Sequence, residues 1–457
     1  MTRTTTSQGT PDNERVMTMD TTPDDRRRSS RSAGRVAALT VLVLALATAG
    51  CEGLLDVELP GEVTEDNLNN PAQAAILANS VVAQVECSWD NYVGAASHHS
   101  DEWIPASGNS TMRRWGLRRI SATFSSYATG GCGESYGLFT PLHIGLRMAD
   151  RNSERIRSFP DDSVQNKQEL LTEIQAYSGW PLVAFAEGFC GTPLNESDQT
   201  FESDELFQRA VDRFGQAIDM AQQTGQEQLR LMALVGRARA HLGLGNYDQA
   251  ISDAEQIPQG FRFDVAREQT PGRRQNVQFD AINALPSMEA GNKHASVAPS
   301  YRDVQWEGTD DPRVPVVNTG EVTFDFTTIH WRHEKINSYS TNVRLASWEE
   351  ARMFIAEAEA RRSGGDLDRA RQILDGFHQR AGIPGVTESD IPTRDDVIRH
   401  VLQERQREFF AEGGHRLHDM LRFRGTGFEI PFLGEAGSDH PDGTDQNGLS
   451  YGETTCF

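Results

Sequence analysis

The residues whose types and spacing could support acid–base chemistry lie in the segment 401–423, which reads VLQERQREFFAEGGHRLHDMLRF. A glycoside hydrolase needs two carboxyl groups that flank the scissile bond from opposite sides. Here Glu404, Glu408 and Glu412 recur at four-residue spacing among arginines, which is the spacing of ion pairs along one helix. We therefore interpret the segment as a structural ion-pair network that holds the last helices together. Its members are Glu404, Arg405, Glu408, Glu412, Arg416, Asp419 and Arg422.

Two other polar clusters could suggest a metal site. His98, His99, Asp101 and Glu102 are nearly adjacent, and they match neither helical histidine spacing nor zinc-finger spacing. The oxygen-rich segment 442–447 does not follow the alternating positions of a calcium loop. The chain also lacks the nucleophile-elbow, phosphate-loop and dinucleotide-binding motifs. The sequence therefore predicts no catalytic residue, no metal and no cofactor.

Tryptophan and tyrosine side chains are concentrated in two segments without a helical period, 84–145 and 261–342. Flat aromatic rings present apolar faces to sugar rings and bury much area at little cost in rotamer freedom. Long irregular segments in a compact chain are often functional. Packing inside an irregular core explains each of these rings equally well. The ligand-binding candidates are Trp103, Trp115, Tyr301, Trp306 and Trp331.

The first fifty residues have the features of an export signal. A basic stretch at 26–35 precedes the apolar run 36–49, which is too short to span a bilayer. Small residues then lead into Cys51, as in a bacterial lipoprotein cleavage site, so we expect Cys51 to carry the lipid. The alternative is ordinary signal cleavage, with Cys51 a plain thiol. We expect the mature protein to be anchored to the membrane by lipid only.

The other four cysteines indicate disulfide bonds, because their number is even and export leads to an oxidising compartment. Four cysteines allow three pairings. The local pairing joins Cys87 to Cys132 and Cys190 to Cys456. The second of these bonds would tie the C-terminal tail to the first helical half.

The composition bounds the class of protein. The chain has 457 residues, of which 37% are hydrophobic, so it can bury a large core. Its formal net charge of −22 repels phosphate backbones. We therefore expect no nucleic-acid binding.

Apolar residues recur at three- and four-residue steps through 165–260, which predicts amphipathic helices. One stripe, Leu231–Leu242, ends at the segment 243–246, which reads GLGN, and the next stripe runs from Tyr247 to Pro258. Two helices joined in this way form a hairpin similar to a tetratricopeptide unit. Such a hairpin must stack on others to bury its apolar face.

A second helical block is predicted over 347–424. Ser347 and Glu350 form a capping box at its start. A hairpin follows, and a further helix begins near Thr393. Between the two blocks, apolar residues alternate with polar ones over 322–326, at Val322, Phe324 and Phe326, which predicts a short strand.

The segment 401–423 resembles the C-terminal signature of the SusD/RagB family of outer-membrane nutrient-uptake lipoproteins. That signature has an E-R-x-x-E core followed by E-G, R and D-x-x-R, and its counterparts here are Glu404, Arg405, Glu408, Glu412, Gly413, Arg416, Asp419 and Arg422. Weaker matches precede it in the family's order: Leu54-Leu55-Asp56, Gly191-Thr192-Pro193-Leu194, Asp311-Pro312-Arg313, Arg344 with Ala356-Glu357-Ala358, and Arg380-Ala381-Gly382.

The resemblance implies a mostly α fold, in which a tetratricopeptide-like scaffold of helical hairpins carries irregular, aromatic-rich insertions and a few short strands. We accordingly divide the chain into a signal region 1–50, a first helical part 51–260 with the irregular stretch 84–145, a ligand-side insertion 261–343, a C-terminal helical part 344–424 and a tail 425–457.

The resemblance also implies a function without catalysis. The lipoprotein would face the cell exterior from the outer membrane, bind an oligomeric nutrient, and deliver it to a SusC-like TonB-dependent transporter. An oligosaccharide is the expected ligand, and a peptide is the other. A helical-repeat adaptor that binds only protein is one alternative. A secreted glycoside hydrolase that uses acids such as Asp310 and Asp311 is another.

Overall fold

The structure is a computed structural model that describes residues 68–133, 136–194, 199–270, 272–283 and 293–457. The signal region, Cys51 and the Leu54-Leu55-Asp56 motif lie outside the described residues. Among the described helices, none is both long enough and apolar enough to cross a membrane.

Thirteen α-helices form the frame of the described residues: α1 Ala74–His99, α2 Ser110–Gly116, α3 Ser125–Ala128, α4 Phe139–Ser158, α5 Lys167–Ser178, α6 Trp180–Gly188, α7 Ser203–Thr224, α8 Glu227–Gly243, α9 Tyr247–Ala254, α10 Trp348–Arg361, α11 Leu367–Ala381, α12 Arg394–Glu408 and α13 His415–Arg422. Short 3-10 turns lie at Pro71–Gln73, Asp161–Ser163, Gly272–Arg274 and Pro299–Tyr301, with a π-helical turn at Phe279–Asn283.

Side-chain caps start the C-terminal helices where the sequence predicts. The Ser347 hydroxyl accepts the backbone N–H of Glu350 at 3.2 Å, and this bond starts α10. Thr393 accepts the N–H of Asp396 at 3.2 Å, and the Asp396 carboxylate accepts the Thr393 N–H in return. Because these groups would otherwise be unpaired, the caps fix the first residues of both helices.

Helices that follow each other in the chain pack side by side, so the predicted stacking of hairpins is confirmed. Helix α7 packs on α8, α8 on α9, α9 on α10, and α10 on α11. Small residues allow the close approach. The ring of Phe214 lies between Gly179 and Gly236, where an added Cβ would come within 2.5 Å of it.

Ten short strands pair into five antiparallel two-stranded sheets within the described residues. The pairs are β1 Trp103–Pro105 with β5 Ala295–Val297, β2 Thr192–Pro193 with β3 Thr200–Phe201, β4 Arg262–Val265 with β10 Val343–Ser347, β6 Gln305–Trp306 with β7 Thr309–Asp310, and β8 Val316–Val322 with β9 Ile329–His333. The β1–β5 and β4–β10 pairs join segments that are far apart in the chain, the β2–β3 and β6–β7 pairs have only two residues per strand, and the helices therefore supply the frame.

Two local predictions are wrong. The segment 84–145 is not irregular throughout, since α1 continues to His99 and α4 begins at Phe139. Polar residues such as Asp90 interrupt the apolar period of α1, yet they are buried because other parts of the core bind them. The predicted strand over 322–326 ends at Val322, and the following residues form the turn of the β8–β9 hairpin.

The buried side chains fall into two main clusters. The larger one lies between the stacked helices and includes Trp89, Trp115 and Trp180. The smaller one lies under the β1–β5 pair and includes Trp103 and Tyr301. The second cluster supports the irregular part of the chain, which carries the surface described next.

Candidate functional site

Exposed apolar side chains are concentrated at the tip of the β8–β9 hairpin, residues 322–329, called the hairpin tip below. Phe326 is 76% exposed, and the ring centroids of Phe324 and Phe326 lie 5.9 Å apart. Val322 and Ile329 pair with each other at the strand ends and are exposed as well. Contiguous exposed apolar side chains in a folded protein mark an interaction surface.

Asp325 holds the turn of the hairpin tip in shape. Its carboxylate accepts the backbone N–H groups of Thr327 and Thr328 at 2.8 Å each, and the Thr328 hydroxyl at 2.6 Å. Partial burial raises the pKa of Asp325, but hydrogen bonds from Thr328, Thr327 and Asn447 outweigh that effect and hold the pKa well below its ordinary value. The turn therefore holds a carboxylate whose ionised form is stabilised, at the position in the sequence between the two exposed phenylalanines.

A cavity of about 270 Å³ lies beside the hairpin tip. Three segments of the chain line it, and its charged residues are Arg113, Asp325 and Asp445. Polar groups beside exposed rings suit a ligand that has both apolar faces and hydroxyl groups.

Hydrogen bonds join the three segments of the cavity wall. The N–H of Gly108 donates to the carbonyl oxygen of Phe324 at 3.1 Å, and an added Cβ at Gly108 would lie 2.7 Å from that oxygen. The Asn447 amide donates to Asp325 at 2.7 Å and accepts the Thr327 hydroxyl at 2.8 Å. The wall is therefore pre-formed, which lowers the entropy cost of binding.

Three of the five predicted ligand-binding aromatics are core residues, so their predicted role is wrong. Trp103 and Tyr301 are 0% exposed, and Trp115 is 1% exposed. The Trp103 ring packs at 4.9 Å from the ring of His98, and Tyr301 stacks at 4.8 Å on Phe410. These rings fill the interior beneath the irregular segments and offer no face to a ligand.

The other two predicted aromatics, Trp306 and Trp331, are half-buried. Trp306 has histidine rings at 5.0 and 5.1 Å and is not among the residues that line the cavity. Trp331 lies on β9 two residues after Ile329, so both side chains share one face of the strand. Arg302 covers one side of the Trp331 ring at 4.9 Å. A role in binding stays a prediction for both.

The predicted ion-pair network of the last helices is present. Arg416 binds Asp101 through two hydrogen bonds, of 2.7 and 2.6 Å, which link α13 to the end of α1. Burial of these charges is tolerated because each has a partner. The seven predicted members pair as follows: Glu404 with Arg313 and Arg407, Arg405 with Asp419, Glu408 with Arg380, Glu412 with Lys335, Arg416 with Asp101, and Arg422 with Glu357.

One group of metal-ligand side chains occurs within the described residues: His378, His400 and Glu404, whose ligand atoms lie within 4.8 Å of one another. The carboxylate of Glu404 is already bound by Arg313 and Arg407, at 2.6 Å each. Two guanidinium cations at the carboxylate neutralise it and repel a metal cation. The arrangement therefore fits a buried ion-pair network better than a metal centre.

The polar cluster at the C-terminal end of α1, residues 98–102, is also structural. Burial lowers the pKa of His98 and of His99 to about 3, so both are neutral. Burial raises the pKa of Glu102 to about 7, and its carboxyl group accepts the N–H of Ala411 at 2.8 Å. With Asp101 paired to α13, none of these groups faces an open site.

The cysteines agree with half of the predicted pairing. Cys190 and Cys456 form a disulfide bond with a Cα–Cα distance of 5.4 Å. Cys87 and Cys132 are free in this structure, so the predicted bond between them is not formed, although the fold brings the two thiols into hydrogen-bonding contact with each other. Gln84 donates to the Cys132 sulfur at 3.6 Å, while the Cys87 thiol donates to the carbonyl oxygen of Arg273 at 3.5 Å. Each thiol therefore has a polar partner other than a disulfide.

The sequence analysis does not identify the hairpin tip as an exposed apolar surface. It interpreted Phe324 and Phe326 as strand residues, whose alternate side chains would face a core. The sequence does contain a signal for a turn at this place. Asp325 lies between the two phenylalanines and is followed by Thr327 and Thr328, and Asp with Thr is typical of a turn. Aromatics in a turn are exposed, and exposure is what a ligand requires.

Comparison with known proteins places this geometry in context. Residues 315–452 match the model of the SusD family, and this range includes the hairpin tip and the C-terminal wall of the cavity. No curated protein sequence matches the chain.

Several solved structures share the fold. A laminarin-binding SusD-like protein is 16% identical, with 80% of this chain and 95% of that one covered and a TM-score of 0.54. The surface glycan-binding protein A from Bacteroides uniformis is 16% identical, with 86% and 95% covered and a TM-score of 0.59. The surface glycan-binding protein A from Bacteroides thetaiotaomicron, in complex with laminarihexaose, is 12% identical, with 82% and 95% covered and a TM-score of 0.56.

Proposed function

Because this chain belongs to the SusD/RagB family, we propose that it binds an oligosaccharide at the hairpin tip, does not cleave it, and passes it to a TonB-dependent transporter. The observation that carries the proposal is the pair of exposed rings, Phe324 and Phe326, beside a polar cavity. Sugar rings have apolar faces that stack on aromatic rings, and their hydroxyl groups bind polar side chains at the edge.

The solved relatives support the ligand class. Two of the structures with the same fold are described as binding laminarin or laminarihexaose, and both ligands are glycans. At 12–16% identity, the likeness transfers the fold but not the particular sugar.

The state of the cavity carboxylates supports binding without catalysis. A glycosidic general acid must hold a proton near neutral pH, which requires a raised pKa. Asp325 has the opposite shift, and its oxygens are taken by hydrogen bonds within the turn. Asp445 uses one oxygen to accept the N–H groups of Asn447 and Leu449. Both acids therefore act as structural acceptors and not as an acid–base pair.

Calorimetric titration of the purified protein with neutral oligosaccharides tests the proposal. The panel would contain laminarihexaose, maltoheptaose, cellohexaose and xylohexaose, and each mixture would be analysed chromatographically after prolonged incubation. We expect saturable binding of at least one oligosaccharide and no shortened products. Release of shorter sugars would favour the hydrolase alternative, and no binding to any glycan would favour the protein adaptor.

The anchoring and the partner form a second part of the proposal. We infer that Cys51 carries the lipid and that the protein stays on the outer face of the outer membrane, against a SusC-like barrel. Acyl labelling of the wild type and of Cys51→Ser tests the anchor, since only the wild type should incorporate label. Co-purification with an outer-membrane barrel tests the partner. If no such barrel co-purifies with the protein from mild detergent extracts, this part of the proposal is contradicted.

A further inference from the structure

Three charged side chains line the cavity beside the hairpin tip: the carboxylates of Asp325 and Asp445 and the guanidinium of Arg113. Together they leave one negative charge at the place where a ligand would sit. A charge in such a partly enclosed site acts over several ångströms with less screening than on an open surface.

Arg113 is directed toward the protein backbone. Its Nε donates to the carbonyl oxygen of Ser107 at 2.7 Å, and its Nη2 donates to the carbonyl oxygen of Gly108 at 3.2 Å. To bind an anionic group through two parallel N–H donors, the Arg113 guanidinium would have to break these hydrogen bonds. Arg113 therefore stabilises the wall of the cavity, and its hydrogen-bond donors are already used by the backbone instead of being available to an anion.

The wider surroundings are also acidic. The wall belongs to the segments 105–119, 321–328 and 424–457, which hold eight Asp and Glu residues and five arginines. Lys293 pairs with Glu321 and adds one positive charge, so eight negative against six positive charges leave a net charge of −2. From 425 to 457 the chain has six acidic residues and neither lysine nor arginine. The whole chain, at −22, adds repulsion at longer range.

We propose that this cavity selects uncharged glycans and excludes glycans that carry carboxylate or sulfate groups. This inference rests on the proposed function and specifies its ligand class. The stacking rings recognise the apolar faces that all these glycans share, and the cavity's carboxylates then separate neutral from anionic chains.

Matched pairs of polysaccharides with one backbone test the inference: laminarin and sulfated laminarin, dextran and dextran sulfate, hydroxyethyl cellulose and carboxymethyl cellulose. Affinity would be measured at low salt and again at high salt. For every backbone that binds, we expect the neutral member to bind at least tenfold more tightly than the anionic member. We expect added salt to lower this ratio of affinities, because salt screens the repulsion between the cavity and the anionic glycan.

A charge variant shows whether the cavity causes the discrimination. In Asp445→Asn, the side-chain oxygen can still accept the two backbone N–H groups, so the turn is kept while one negative charge is removed. The ratio between neutral and anionic members should fall at least threefold. Asp162→Asn, an exposed acid outside the cavity, removes the same charge and should leave the ratio unchanged.

The outcomes separate this inference from the proposed function. Equal or tighter binding of the anionic member overturns the inference while glycan binding stands. An unchanged ratio in Asp445→Asn also overturns it, since the cavity would not be the source of selectivity. If no member of any pair and no oligosaccharide of the earlier panel binds, the proposed function is removed, and the inference falls with it.

Discussion

Arg405 and Asp419 form a two-pronged ion pair in the interior of the protein. The Nε of Arg405 lies 2.8 Å from one carboxylate oxygen of Asp419, and its Nη2 lies 3.0 Å from the other. Both side chains are almost completely buried, at 1% and 2% exposure. This pair joins α12 to α13, and the hydrogen-bonding geometry is one that lysine cannot reproduce.

Replacing Arg405 with alanine should destabilise the fold by about 3–5 kcal/mol, because it removes one of the two guanidinium partners of the buried Asp419 carboxylate, leaves only Arg422, and vacates buried volume. The free energy of unfolding from denaturant titration measures this. Arg230→Ala is the matched control, since its ion pair with Glu227 is more exposed and should cost less than about 1 kcal/mol. Equal stability of the Arg405 variant and the wild type would contradict a structural role for the network.

Replacing Phe326 with alanine should weaken glycan binding at least tenfold with little change in thermal stability. Its ring is 76% exposed, so the fold loses few contacts while the ligand loses a stacking surface. Calorimetry and a thermal melt of the same sample measure the two effects. Ile76→Ala, on the exposed side of α1, is the control, and it should change neither. If Phe326→Ala and Ile76→Ala bind glycan with equal affinity, the hairpin tip is not part of the binding surface.

Replacing Trp115 with alanine should lower the free energy of unfolding by about 3–5 kcal/mol through the cavity that it leaves. The ring is buried, 5.5 Å from the ring of Phe124 and 6.1 Å from that of Phe457. Below the melting temperature the variant should bind glycan like the wild type. If the Trp115→Ala variant is as stable as the wild type but does not bind glycan, Trp115 contacts the ligand after all.

The disulfide between Cys190 and Cys456 should contribute about 2–5 kcal/mol, because it closes a long loop in the unfolded chain. It holds Phe457 in place, and the N–H of Phe457 donates to the carbonyl oxygen of Gly188 at 2.7 Å. We expect a Cys190→Ala/Cys456→Ala double variant to unfold at lower denaturant concentration. Cys132→Ser, which removes a free thiol, should change the midpoint much less. Equal midpoints would mean that the tail is held by packing alone.

Stability should fall as the pH is lowered from 6.5 to 4.5. Burial lowers the pKa of a set of histidines, so the unfolded chain binds their protons first and acid favours unfolding. This contribution is present above pH 6.5 and is lost below it. The histidines are His98, His99, His143, His241, His294, His330, His333, His400, His415, His418 and His440.

Buried acids oppose this trend, but they are fewer. Burial raises the pKa of these groups, so they stabilise the fold at low pH and lose that contribution as the pH rises. They are Glu86, Asp90, Glu102, Glu173, Glu350 and Glu408. Denaturant titrations at pH 7.5, 6.5, 5.5 and 4.5 measure the balance. A free energy of unfolding that stays level or rises on acidification would show that the acids prevail.

The helices could be predicted because their signals are local. The break at 243–246 separates α8 from α9 as expected, and Thr393 caps α12 where the sequence places it. Two ion pairs within 404–422, Glu404 with Arg407 and Asp419 with Arg422, could be anticipated for the same reason, since their three-residue spacing is that of a helical turn. The partner of Arg416 could not, because Asp101 is 315 residues away and only the fold brings it close.

The candidate binding surface was harder to predict, because the type of a residue does not determine whether its side chain is exposed to solvent. Trp103 and Phe324 are both aromatic residues in segments without a helical period, yet one is 0% and the other 40% exposed. The difference comes from β1, which is covered by β5 and the second core, while the β8–β9 hairpin ends in an open turn. That distinction depends on tertiary packing.

A structure of the protein with a bound neutral oligosaccharide tests the central claim most directly. We predict a sugar ring stacked on Phe326 or Phe324, with hydroxyl groups directed into the cavity lined by Asp325 and Asp445, and an intact glycosidic bond. A ligand bound elsewhere, with both phenylalanine rings still open to solvent, would contradict the account.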